Sequence, residues 1–152
     1  MYNKILVPLD SSGLAECVLP HVESIAGGCG AKSVIFVRVV EPVYLPITGD
    51  EEGYTLVADD WKRMEAESKT AAEAYLNRLV SRVKYAGVNI QSEVLYGKAA
   101  ESIAEYAAKN EVDLITIATH GRSGIGRWVW GSVADKVLRS STVPILMVRA
   151  PG

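Results

Sequence analysis

Strand-length apolar runs alternate with helix-length amphipathic stretches along this 152-residue chain, and that alternation leaves few folds open. KILVPLD, Lys4 to Asp10, reads as a first strand, ended by the turn formers Asp10, Ser11, Ser12 and Gly13. A helix is expected from about Leu14 to Ala26, with Leu14, Val18, Val22 and Ile25 on its inner face and a kink at Pro20. Gly27, Gly28 and Gly30 should end it, before the β-branched strand Ser33 to Val40. Trp61 to Tyr85 reads as one long amphipathic helix stopped by Gly87. There follow a strand from Asn89 to Leu95, a helix from Ala99 to Lys109 and the near-continuous apolar strand Asp113 to Thr119. A helix from Ser132 to Ser140 and a strand from Pro144 to Val148 complete the series. The order βαβαβαβαβ, joined by right-handed crossovers, predicts an open, mostly parallel five-stranded sheet with helices on both faces. The expected architecture is Rossmann-like, with strand order 3-2-1-4-5 and a single domain over residues 1–152.

The stretch from Glu41 to Asp60 fits neither period. Its prolines, glycines and six acids read as a long solvated loop whose acids face no Lys or Arg.

Composition narrows the partners. Sixteen Lys and Arg stand against eighteen Asp and Glu, for a net charge of −2, where a phosphate-gripping nucleic-acid binder is normally basic. No apolar run approaches the length that spans a bilayer, and the N-terminus lacks the features of a signal peptide. Cys17 and Cys29 form neither a CxxC pair nor a disulfide framework. The expectation is a soluble protein in a reducing, cytoplasmic setting, with no nucleic acid and no membrane among its partners.

In sheets of this class ligands bind beyond the carboxyl ends of the strands, where strand order reverses. That places interest on Asp10 to Gly13, on the turn after Val40, and above all on Ala118 to Leu138. The last segment leaves a buried strand, carries Gly121, Gly124, Gly126 and Gly131, and runs into a helix at Ser132. Glycines let the backbone approach a ligand, and a helix N-terminus offers unpaired N–H groups and a positive dipole end to an anion. From Ala118 to Arg149 five bases face one acid in an otherwise acidic chain. The pattern fits a polyphosphate.

Two familiar phosphate motifs fail here. Gly121-x4-Gly126 has P-loop spacing, but Arg127 and Trp128 stand where Lys and Ser or Thr are required. The first turn, DSSG, is no GxGxxG, and Gly28-Cys29-Gly30 precedes a strand rather than a helix.

At this loop the chain resembles the universal stress proteins, whose nucleotide-binding members carry Gly-x2-Gly-x9-Gly-Ser/Thr. Here Gly121, nine residues, Gly131 and Ser132 match, while Ala118 replaces the first glycine. The opening ILVPLD and the second-strand ending VRVVEP extend the likeness over the whole chain. The resemblance implies a site for ATP with Mg²⁺ built from Pro8, Asp10, Ser11, Val39, Ala118, Gly121, Arg122, Gly131, Ser132 and Val133. In it Asp10 would bond the ribose hydroxyls and the Val39 backbone would meet the adenine edge. Gly121, Gly131, Ser132 and Val133 would cradle phosphates, and Mg²⁺ would be held mainly by phosphate oxygens and water. It further implies a homodimer through the last strand, whose apolar edge would otherwise be bare.

Each residue also has a plainer reading. Asp10 and Ser132 are natural helix caps, the latter with Asp135 three residues on. Arg122 and Arg127 are equally at home as solvated loop charges. His120 with Ser123 lacks the GxSxG frame of a hydrolase, and Cys17 with His21 lacks two further metal ligands. Trp128 and Trp130 suit packing better than adenine stacking. A phosphoacceptor receiver would need an aspartate where Leu95-Tyr96-Gly97 stands. Three readings remain: a nucleotide-dependent stress-response module, a slow ATPase on the same site, and a nucleotide-free dimeric interaction protein.

Overall fold

A computed structural model describes residues 1–42, 51–119 and 131–151, with the side chains of residues 51–58 excepted. The strands β1 (Lys4–Pro8), β2 (Ser33–Val40), β3 (Asn89–Tyr96), β4 (Leu114–Thr119) and β5 (Ile145–Arg149) form one sheet in the order β3-β2-β1-β4-β5. Every pairing is parallel, from Lys4 opposite Ser33 to Thr119 opposite Arg149. The expected strand order holds. The helices are α1 (Leu19–Cys29), α2 (Glu51–Arg82), α3 (Ala99–Lys109) and α4 (Ser132–Ser140).

Alternation along the central strands splits the core into two layers. Ile5, Val7, Val34 and Phe36 pack with Val18, Val22, Leu76 and Leu79, beneath α1 and α2. Leu6, Ile35, Val37, Ile115 and Ile117 pack with Ile103, Ala107, Ala134 and Val137, beneath α3 and α4. Burial on both faces explains why β1, β2 and β4 read as continuous apolar runs. Among the described residues no helix is long and apolar enough to cross a membrane.

Three local expectations are corrected. Pro20 does not kink a helix running from Leu14. A 3-10 turn, Ala15–Val18, comes first, and α1 begins at Leu19 with Pro20 in its opening turn. A first-turn proline loses no helical bond, because the N–H it lacks has no intrahelical partner there. Leu14 consequently lies outside the helix and is 48% exposed. Gly27 and Gly28 lie within α1, and only Gly30, at φ 64°, ends it.

The third correction concerns the supposed loop. Helix α2 starts at Glu51, ten residues before Trp61, while residues 43–50 lie outside the described part. Propagating an existing helix costs far less than nucleating one, and acids in a first turn favour the dipole. Asp60 also meets a base after all, accepting from Arg63 at 3.1 Å.

Thr116 offers a test of the core. Its residue is fully buried in β4, and its Oγ1 finds no hydrogen-bond partner. Thr116→Val replaces that hydroxyl by a methyl of similar shape and removes a desolvation cost of about 1 kcal/mol. Thermal unfolding should shift upward by roughly 2–4 °C for a domain of this size. A lowered melting temperature would mean that the hydroxyl has a partner in solution.

Candidate nucleotide-binding cleft

Strand β1 lies at the switch point, because the chain leaves it toward β2 on one side and β4 on the other. A cleft of about 300 Å³ opens at the carboxyl ends of these three strands. Its floor is apolar, with Val37, Val39, Ile103 and Ile117 among its lining, and its polar groups are few. Pro8, Asp10, Val39, Ala118, Gly131, Ser132 and Val133, separated by up to 125 positions in the chain, all reach it. Ser11 stands beside the cleft and touches it through a neighbour described below. Gly121 and Arg122 lie outside the described residues, as do His120, Ser123, Arg127, Trp128 and Trp130.

The turn after β1 holds itself in shape. Asp10 Oδ1 accepts from the Ser12 N–H at 2.9 Å, and Ser12 Oγ accepts from the Ala15 N–H at 3.1 Å. The aspartate is therefore a turn former as well as a cleft residue. Ser11 sits at φ 69°, a left-handed conformation that costs a residue with a side chain roughly 1 kcal/mol or more. The following 3-10 turn is held from outside by α2. Glu16 accepts from Tyr75 Oη at 3.0 Å and also from Arg82. Burial, and next Glu16, push the Tyr75 phenol well above its ordinary range.

Strand β2 outlasts β1. Their register ends with Pro8 opposite Val37, and the last bond runs from the Leu9 N–H to the Val37 carbonyl at 2.9 Å. The N–H and C=O of one strand residue point to the same side, and sides alternate along the strand. Val40, whose carbonyl accepts from the Gly97 N–H, therefore faces β3. Val39 faces the other way. Its N–H and C=O overhang the end of β1, beside the cleft that Val39 lines.

Two polar residues of the cleft went unremarked in the sequence. Arg38 donates from Nε to Ser11 Oγ at 3.1 Å and from Nη1 to the Val39 carbonyl at 2.6 Å. Glu41, grouped with solvated acids, accepts from the Ala99 N–H at 3.0 Å and so caps α3 from 58 positions away. No spacing rule announces a partner at that distance. A charge just past a buried strand's end was the only available signal.

Helix α4 differs from α3 at its start. Its cap is Gly131, which has no side chain to bond the first amides, and among the described residues no side chain is seen to bond them. Ser132 is thus the first helical residue rather than the cap, and the reading of it as capping box with Asp135 fails. Asp135 instead pairs with Arg139, one turn on, at 3.0 Å. Gly131 has φ −52°, so the turn makes no use of a left-handed glycine. One helix mouth in the cleft is filled by a carboxylate, and the other has no side-chain cap among the described residues. Among the described residues no three His, Cys, Asp or Glu side chains converge as a metal site.

Comparison with known proteins agrees with this architecture. The model of the universal stress protein family matches residues 1–149. Universal stress protein MJ0531 of Methanocaldococcus jannaschii is 31% identical, over 99% of this chain and 84% of its own length. The solved structure of MJ0577, from the same organism, superposes over 100% of this chain and 99% of that one, with TM-score 0.72 and 26% identity. A universal stress protein family protein of Arabidopsis thaliana, with AMP bound, covers 99% of this chain and 93% of its own. At TM-score 0.64 and 14% identity it is a likeness of fold. A family match over nearly the entire length, on the sheet order the sequence implied, means that this chain belongs to the universal stress protein family.

Proposed function

We propose that this protein binds an adenine nucleotide, ATP with Mg²⁺, in the cleft and acts as a nucleotide-dependent stress-response module. The carrying observation is the polarity of the cleft. At one end the Val39 backbone presents its N–H and a carbonyl shared with Arg38 over an apolar floor. At the other, α4 opens on Gly131, and its first residues line the cleft with amides that no side chain among the described residues caps. An apolar heterocycle with a polar edge suits the first end, and phosphates suit the second. Asp10, which lines the same cleft, is a carboxylate suited to a ribose diol. The AMP-bound Arabidopsis relative supports the same class of ligand. The described residues fit Mg²⁺ carried on phosphate oxygens and water, since no three of their His, Cys, Asp or Glu side chains converge on one point. The ion would offset phosphate charge as the nucleotide enters.

The dimer belongs to the same proposal. β5 is an edge of the sheet, and Ile145, Leu146 and Met147 on it are only half-buried. A second copy of β5 across a two-fold axis would cover that edge.

A nucleotide-free interaction role is the second reading, favoured by Ala118, whose methyl lines the cleft where the family pattern has glycine. Calorimetric titration with ATP and AMP, with and without Mg²⁺, separates the two, and light scattering on the same samples reads the dimer. Saturable binding supports the first reading, and a flat titration with an intact dimer favours the second. Phosphate release in the ATP samples would report a slow ATPase.

A further inference from the structure

The geometry points to Arg38 as the residue that sets base selectivity, admitting 6-oxopurine nucleotides, of the guanine type, beside adenine ones. This inference rests on the nucleotide reading of the cleft and names which base edge it takes.

An adenine edge offers one donor, its 6-amino group, next to one acceptor. The Val39 carbonyl and N–H would complement both, but the carbonyl already accepts a charged hydrogen bond from Arg38 at 2.6 Å. Charge-assisted bonds are roughly twice as strong as neutral ones, so a 6-amino group must share or displace a strong donor. It must also bring its own N–H groups up against a guanidinium. The conflict is electrostatic.

A 6-oxo group reverses the sign. Its oxygen accepts, and both the Val39 N–H and the Arg38 guanidinium are donors at that corner. The rest of a guanine edge is a pair of donors, N1–H and the 2-amino group. Glu41, which lines the same cleft, is the acceptor available to them, with one oxygen engaged by the Ala99 N–H. Carboxylates accept at two oxygens, so the cap and the base can be served together.

Arg38 is not free to drift from this position. Its Nε bonds Ser11 Oγ at 3.1 Å, and Ser11 holds a strained left-handed backbone in the turn beside Asp10. The guanidinium is thereby tied at two points, on β2 and on the turn after β1. Its stem leaves β2 on the side of Phe36, opposite Val37 and Val39, and reaches the cleft around the strand's end. A ligand group that displaces the guanidinium must replace these bonds, whereas one that accepts from it need not.

The test is calorimetric titration of wild-type protein and Arg38→Met with GTP and ATP at fixed Mg²⁺. Methionine keeps an apolar stem and removes every donor. Wild-type protein should bind GTP within about tenfold of ATP. Arg38→Met should tighten ATP, weaken GTP, and move the ratio toward adenine by roughly tenfold or more, the effect of one charge-assisted bond. An unchanged ratio in Arg38→Met overturns the inference while leaving nucleotide binding intact. Should that variant fail to fold, the wild-type titration still decides, since a preference for ATP above about a hundredfold also overturns it. If neither nucleotide binds wild-type protein, the nucleotide reading itself fails and this inference falls with it.

Discussion

Gly131→Val is expected to weaken ATP binding by about 30- to 1,000-fold, equivalent to roughly 2–4 kcal/mol and to one or two charge-assisted hydrogen bonds. Gly131 caps α4 and lines the cleft, so a branched side chain there stands between incoming phosphate oxygens and the amides that open the helix. Conformational strain contributes nothing to this effect, because φ at Gly131 is −52° and valine adopts that value readily. The fold should lose about 1 kcal/mol at most, since glycine is a better cap than valine. AMP offers fewer oxygens to the helix and should lose less than ATP. Titration of wild-type protein and variant with both nucleotides, beside melting curves, measures each term. Equal losses for ATP and AMP would mean that α4 does not meet the outer phosphates. No loss for either would put the site elsewhere.

Asp10→Ala should weaken ATP and AMP alike, by roughly 1.5–3 kcal/mol, because both nucleotides carry the ribose that the carboxylate is proposed to hold. The alanine also removes the acceptor for the Ser12 N–H, so some of its effect belongs to the turn. Asp10→Asn separates the two contributions. Its amide oxygen can still accept from Ser12, while the negative charge toward the diol is gone. Full affinity in Asp10→Asn and a loss in Asp10→Ala would assign the aspartate to the turn alone. Comparable losses in both, with melting temperatures near wild type in the asparagine variant, would assign it to the ligand. Unequal losses for ATP and AMP would contradict a ribose contact.

How far the sequence can be read depends on the distance between the residues that decide a feature. β2, α3 and α4 follow from contiguous residues, and their expected boundaries coincide with those observed. A strand buried on both faces must be apolar throughout, and a helix covering a sheet must be apolar on one stripe, so each pattern declares its element. Alternation with right-handed crossovers implied a parallel sheet, and with β1 taken as central the expected order is the order β3-β2-β1-β4-β5 that the structure has. The α2 boundary was misread because single residues such as Gly53 were weighed against a helix whose stability comes from its far end. The length of Glu51–Arg82 makes an isolated glycine affordable.

The candidate site divides along the same line. Asp10 at the end of β1 and Gly131-Ser132 at the start of α4 were legible, because a strand end and a helix start are local events. Arg38 and Glu41 were not, since what gives them meaning is contact with Ser11, with the Val39 carbonyl and with the Ala99 N–H. The sequence by itself determined the succession of strands and helices, apart from the 3-10 turn before α1 and the start of α2. Only the tertiary structure decided that β2 overhangs β1, leaving the Val39 backbone to face the cleft with an arginine on its carbonyl. It likewise decided that a carboxylate from the end of β2 fills the mouth of α3. Periodicity reports which face of an element is buried, whereas hydrogen bonds between segments depend on register and on where neighbouring strands stop, and those are set when the whole sheet assembles.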